Sequence, residues 1–211
     1  MTRLVLATRN EHKVHELRQI LGPVVQELGL HIESANAHPE VPDTPETEVT
    51  FEGNARLKAV AIAEATGLPA LADDSGLAVD VLGGCPGIFS ARWSGSRAGE
   101  GASREAKDQA NLSLLLEQLA DVPDEHRSAA FCCAAVLALP DGRVIATEGR
   151  VPGRILREPR GSNGFGYDPV FVPDGEERTL AEHTDEEKNA ISHRGRAFRR
   201  MVPSLAQVLS G

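Results

Sequence analysis

Short apolar runs and apolar residues spaced near 3.6 follow one another along this chain, and their order spells out strands and helices in turn. Residues 3–8 read as a short buried strand and the polar run Arg9-Asn10-Glu11-His12 as a turn. Val14, Leu17 and Leu21 then share one face of a helix, which Gly22-Pro23 is expected to stop. Residues 31–35 form a weaker strand, and residues 36–50, with Pro39, Pro42 and Pro45, read as loop. An alanine-rich helix over 51–66 carries Leu57, Val60 and Ile62 and ends at Gly67.

Residues 69–73 and 77–82 read as two strands around a turn, Asp74-Ser75-Gly76, and residues 83–101 as glycine-rich and irregular. A third helix over 103–120 has Leu112, Leu115, Leu116 and Leu119 at helical spacing. Segments 129–139 and 143–147 flank Pro140-Asp141-Gly142, a hairpin signal. Thr184-Asp185-Glu186-Glu187 has the capping-box pattern that opens a last helical region, expected to break near Ser192 and to resume to Met201. The sum is one α/β domain over residues 1–211, with two lobes around a cleft as a compatible arrangement.

Composition changes this picture little. Of 211 residues 41% are apolar and 25% charged, as in ordinary soluble proteins, and aromatics are only 4%, so aliphatic side chains must carry the packing. No apolar run approaches the roughly 20 residues that span a bilayer, and the first residues lack the length of a secretory signal. The expectation is a soluble, cytoplasmic protein with no membrane partner. Cys85, Cys132 and Cys133 form no C-x-x-C pair, and their odd number argues against a disulfide framework. A net charge of −9 disfavours nucleic acid as a partner. A small polyanion is still compatible, given a local cationic pocket, a divalent metal, or both.

Four segments hold polar residues that packing alone would not require. Thr8-Arg9-Asn10-Glu11-His12-Lys13 lies between strand and helix, where free backbone N–H groups and the helix dipole suit a phosphate. An ordinary capped helix start has the same composition. Asp73-Asp74-Ser75-Gly76 places two carboxylates after an apolar strand. Adjacent carboxylates repel unless a cation is near, and magnesium binds through one or two carboxylates plus waters and phosphates. An Asx turn explains the same residues.

The loop at residues 161–169 sets Gly164 and Gly166 on either side of Phe165, so that Phe165 or Tyr167 can stack on a planar ligand and Asp168 can accept from ring N–H groups. A loop with an anchoring aromatic reads the same way. Lys188 with Ser192-His193-Arg194-Gly195 joins two cations and a histidine near the helix break, suited to phosphate or a base carbonyl, or else to a solvated face. Glu46 and Glu48 are further candidate metal ligands.

In their order along the chain, these strings resemble the inosine triphosphate pyrophosphatase family, the deaminated-purine nucleoside-triphosphate pyrophosphatases. The strings are residues 6–13, Thr50-Phe51-Glu52-Gly53-Asn54-Ala55, residues 72–82, Pro86-Gly87-Ile88-Phe89-Ser90-Ala91-Arg92, residues 164–171 and 191–195. The resemblance implies an elongated mixed β-sheet flanked by helices, two lobes around a central substrate cleft, and a homodimer. It also implies hydrolysis of ITP, dITP and XTP to the monophosphate and pyrophosphate with Mg2+ as cofactor.

By resemblance, Thr8, Arg9, Asn10, Glu11, His12 and Lys13 would hold the triphosphate. Asp74 would be the catalytic acid that is associated with the metal and activates water, with Asp73 in support and Glu46 as second metal ligand. Ser75 would touch the substrate, Phe165 would stack on the base, and Gly166, Tyr167 and Asp168 would shape its pocket. Lys188, His193 and Arg194 would face base and phosphates. Two departures stand out: many relatives have Gly at the position of Arg9, and Glu148-Gly149-Arg150-Val151-Pro152-Gly153 lacks the Trp that many place before Pro-Gly. A pyrophosphatase for other nucleotides and a non-catalytic nucleotide sensor are the alternatives, separable by a substrate panel and by turnover.

Overall fold

The computed structural model describes residues 2–209. Six strands form one mixed sheet: β1 (Arg3–Leu6), β2 (His31–Ser34), β3 (Ala70–Val79), β4 (Ser128–Ala138), β5 (Val144–Ile155) and β6 (Phe171–Pro173). Their order is β2-β1-β3-β4-β5-β6, with β1 parallel to both β2 and β3 and β6 antiparallel to β5. Among the described residues five α-helices accompany them: α1 (Glu11–Leu28), α2 (Phe51–Thr66), α3 (Arg104–Gln118), α4 (Asp185–Ile191) and α5 (His193–Leu209). The α/β class agrees with the sequence pattern, and the mixed sheet flanked by helices with what the family resemblance implies.

Four local expectations need correction. Helix α1 does not stop at Gly22-Pro23 but continues to Leu28. Its buried stripe of Val14, Leu17 and Leu21 extends to Val24, and that burial offsets the hydrogen bond that Pro23 cannot donate. The stop is Gly29, in the left-handed conformation at φ 59°, with Leu30 N donating to Val25 O at 3.0 Å. Helix α5 likewise passes Pro203 and runs to Leu209, beyond Met201, burying Leu205 and Leu209.

Asp74-Ser75-Gly76 is not a turn. It lies inside β3, which runs unbroken from Ala70 to Val79. Flanking apolar residues on both sides are buried, so the ladder outweighs the local Asx preference. Strand β5 continues past Thr147 to Ile155, through Pro152-Gly153, and β6 has no counterpart in the sequence reading.

The chain divides into two compact units. The first holds residues 1–74, 133–149 and 193–211, and the second holds 75–132 and 150–192. In the first unit strand alternation builds two cores. Leu4, Leu6, Leu71, Cys133, Ala135 and Leu137 join α1 and α5 in one, through Leu17, Leu21, Phe198, Met201 and Leu205. Val5, Ala7, Ala70, Ala72, Val136 and Ala138 join Ala55, Ala59, Ile62 and Ala63 of α2 in the other. Each face of the sheet thus has its own helices. The second unit packs Leu112 and Leu115 of α3, and Leu119 just after it, with Leu77, Val79, Phe131, Val151 and Phe171.

Candidate active site

Asp73 and Asp74 follow Leu71 and Ala72 in the same alternation, so the two carboxylates leave β3 on opposite faces. That separation removes the repulsion that two adjacent acids at a turn would have suffered. Each meets cations from the helices of its own face.

On the α1 and α5 face, Lys13 Nζ donates to Asp73 Oδ2 at 3.0 Å. Arg194 donates to the same oxygen through Nη2 at 3.1 Å and Nε at 3.3 Å. The other arm of Arg194 donates to Glu16, so one buried guanidinium joins two carboxylates. Burial alone would raise the Asp73 carboxyl, but Lys13, Arg194 and Lys58 overcome it and hold the group ionised, well below the usual range. Asp73 Oδ1 accepts no hydrogen bond among the described residues. Cys133 Sγ lies 4.0 Å from Asp73 Oδ2, and burial pushes this thiol up, out of reach of thiolate chemistry at neutral pH.

On the α2 face, Lys58 Nζ lies 3.0 Å from Asp74 Oδ1 and 3.3 Å from Glu46 Oε1. Asn54 Nδ2 reaches Asp74 Oδ2 at 3.4 Å, and its own Oδ1 accepts from Glu48 N at 3.0 Å. Asn54 and Lys58 are four residues apart on one helix, which stacks them on the same face. Burial raises the Asp74 carboxyl, Lys58 and Lys13 oppose that, and Glu46 adds to it, with the net direction upward. The ammonium of Lys58 therefore stands where two carboxylates converge. That donor set fits a hard divalent cation, which takes one or two carboxylates and completes its shell with water and phosphate oxygens. Among the described residues no group of three or more His, Cys, Asp or Glu is set to hold a metal alone.

The turn before α1 is a built cap. Thr8 Oγ1 accepts from Asn10 N at 3.2 Å, and Asn10 Oδ1 accepts from His12 N at 3.1 Å. Glu11 and His12 are exposed, and Glu11 accepts from Asn36 Nδ2. Lys13 is directed to Asp73. Arg9 departs from the set: its guanidinium pairs with Asp43 and donates to Val41 O at 2.5 Å and His38 O at 3.3 Å.

The second unit holds the aromatic loop. Lys188 Nζ donates to Asp168 Oδ2 at 2.7 Å and sits 4.8 Å from the centroid of the Phe165 ring. Asp168 Oδ2 also accepts from Phe165 N at 2.8 Å. Gly164, at φ 74°, lies so close that an added Cβ would fall 2.2 Å from Asp168 Oδ2, so the loop needs glycine there. Tyr167 is buried, with its hydroxyl donating to Ser90 O at 2.9 Å, which leaves the partly exposed Phe165 as the ring available for stacking.

Lys188 and Arg194, grouped in one cluster by the sequence, thus belong to different units: Lys188 sits with Phe165 and Asp168, Arg194 with Asp73 and Glu16. His193 opens α5 in the first unit beside Arg194, and Ser75 opens the second unit's part of β3. Sequence reasoning gave no role to Glu16, Asn54 or Lys58. Their signal is a polar residue at or beside an otherwise apolar helix face: Glu16 between Val14 and Leu17, Asn54 before Ala55, and Lys58 before Ala59.

A model of the Ham1 family matches residues 4–204. The dITP/XTP pyrophosphatase of Streptomyces coelicolor is 58% identical over 211 residues, covering 99% of this chain and 100% of that protein. The dITP/XTP pyrophosphatase of Mycobacterium tuberculosis H37Rv is 50% identical over 211 residues, with coverage of 100% and 98%. A solved HAM1 protein from Coxiella burnetii matches with a TM-score of 0.83 at 40% identity, over 99% of this chain and 100% of that one.

Proposed function

The chain belongs to the Ham1 family, and from that premise we propose that it hydrolyses noncanonical purine nucleoside triphosphates to the monophosphate and pyrophosphate. Its relatives named dITP/XTP pyrophosphatases, similar over their whole length, support ITP, dITP and XTP as the substrates. The observation that carries the chemistry is the opposite placement of Asp73 and Asp74. Asp73 is an ionised anchor for Lys13 and Arg194, whereas Asp74 has a raised affinity for protons and a second carboxylate, Glu46, across Lys58.

Asp74 accepts the proton of a water that adds to the α-phosphorus. The bond from that phosphorus to the bridging oxygen breaks, and the electron pair leaves with pyrophosphate. Asp74 and Glu46 are the residues that would hold Mg2+, whose chemistry is to neutralise phosphate charge and fix the geometry of the leaving group. Lys13 and the capped turn at Thr8–Asn10 provide donors and positive charge for the triphosphate. Lys58, now shared between the two carboxylates, has phosphate oxygens as its natural alternative partners.

Base selection falls to the second unit. Phe165 stacks on the purine, and Lys188 offers N–H donors only. A 6-oxo group accepts from such a donor, whereas the 6-amino group of ATP meets it donor to donor and leaves it unpaired. GTP shares the 6-oxo group, so its rejection rests on the 2-amino group that ITP and XTP lack. The reading extends, by family resemblance, to a cytoplasmic homodimer, which light scattering in solution tests for the assembly. For the reaction, pyrophosphate release from ITP, XTP, GTP and ATP is measured with magnesium and with EDTA. Fast, metal-dependent release from ITP and XTP alone is expected. Orthophosphate release, or equal rates on all four, would overturn the assignment.

A further inference from the structure

Arg9 lies in the phosphate turn by sequence but works on another segment. Its guanidinium takes the carbonyls of His38 and Val41 and the carboxylate of Asp43, three acceptors within six residues. The same segment is tied to β2 from the other side: the buried His38 ring places Nε2 2.9 Å from Glu33 Oε1 and Nδ1 3.3 Å from Glu40 Oε1. Val41 is buried in the α2-side core. Glu46 follows Asp43 by three residues, with Pro45 between them and Pro42 before, and proline restricts the φ of this stretch. A clamp at 38–43 therefore carries through a stiff connection to the carboxylate that faces Lys58 and Asp74.

We infer that Arg9 is a positioning residue: by clamping 38–43 to the β1–α1 turn it sets where Glu46 stands, and through Glu46 the strength of divalent-cation binding at Asp74. The inference rests on the proposed reading of Asp74 and Glu46 as the metal-holding pair. It replaces the expectation that Arg9 grips phosphate. The exposed pairing with Asp43 contributes little by itself, because solvent screens it. The two carbonyl bonds carry the clamp, and a lysine, with one ammonium in place of a planar fork, reproduces them only in part.

The test compares the parent with Arg9→Gly, Arg9→Lys and Glu46→Gln, recording amide hydrogen exchange without nucleotide and the magnesium concentration for half-maximal ITP turnover. In Arg9→Gly, exchange across 39–47 is expected to rise about tenfold. Half-activating magnesium should rise about three- to tenfold, less than for a direct hydrogen-bond partner of a metal ligand because Arg9 acts through the backbone of 38–46, while KM for ITP at saturating magnesium moves less than about twofold. Arg9→Lys should fall between. Unchanged exchange, or a raised KM with unchanged magnesium dependence, overturns the positioning role and returns Arg9 to the phosphate. If Glu46→Gln leaves the magnesium dependence unchanged, the metal-pair reading itself fails and takes this inference with it. A shift in Glu46→Gln without one in Arg9→Gly sinks the role of Arg9 alone.

Discussion

Arg194 and Asp73, 121 positions apart in sequence, meet in the interior of the first unit with Nη2 3.1 Å from Oδ2. Both side chains are buried, so each is held charged by its protein partners, Asp73 by Lys13 and Arg194, and Arg194 by Asp73 and Glu16. Glu16 completes the arrangement by taking the far arm of the guanidinium. Replacing Asp73 by Asn leaves Arg194 with Glu16 and Lys13 with only the more distant charge of Asp74, and the expected loss is about 3–5 kcal/mol. Glu16→Gln keeps an acceptor and should cost about 2 kcal/mol. Urea denaturation at neutral pH measures both, and wild-type stability in either variant would remove that residue from the network.

Asp74→Asn should behave in the opposite way. Asparagine keeps an acceptor for Lys58 and fits the same strand position, so stability should change by about 1 kcal/mol or less. Turnover of ITP should fall by about two to four orders of magnitude, the usual worth of a positioned base. A variant within about tenfold of the parent rate would take Asp74 out of the reaction.

The ion pair of Lys188 and Asp168 predicts non-additive mutants. Lys188→Met strands a buried carboxylate and should cost about 3–5 kcal/mol in thermal or urea unfolding. Adding Asp168→Asn should recover most of that stability without restoring discrimination between ITP and ATP. Recovery of both, or of neither, would contradict the division of labour between the pair and the Phe165 ring.

Acid should act on the cap of α4. Hydrogen bonds from Arg178 and from Thr184 N hold the Glu187 carboxyl down to about 2, from an ordinary value of 4.5. A carboxyl lower in the folded chain than in the unfolded one stabilises fully above the ordinary value, and the contribution fades as pH falls towards the lower one. Glu187→Gln retains a capping side chain but has nothing to protonate. The drop in urea midpoint between about pH 6 and about pH 3 should therefore be smaller in Glu187→Gln than in the parent. Equal drops would show that the cap carries no charge-dependent stability.

Much of this was legible beforehand, and the misses share a cause. Helix α2 ran over the residues that its pattern marked, because Thr50 caps it, Gly67 ends it and alanines fill its buried side. The errors arose where local preference and burial disagreed. Gly22-Pro23 and Asp74-Ser75-Gly76 are breaker and turn material by themselves, yet Val24 and Leu77 beyond them are buried, and the elements continue through. The site suffered likewise. Reading a turn from Asp74 onwards, directly after Asp73, hid the opposite faces of the two acids, and with them the reason why one set of cations sits on α1 and α5 and the other on α2. The partners Glu16, Asn54 and Lys58 make sense only once those faces are known.

The same placement has a consequence for how the protein is made. Arg194 arrives on the last helix, α5, whose Phe198, Met201 and Leu205 join the core that α1 opens. A ribosome therefore releases Asp73, Asp74, Lys13 and Lys58 well before the guanidinium that completes the buried cluster. Until that helix docks, the nascent chain carries every candidate for the anhydride chemistry without the clamp that orders it, so activity should switch on late and abruptly.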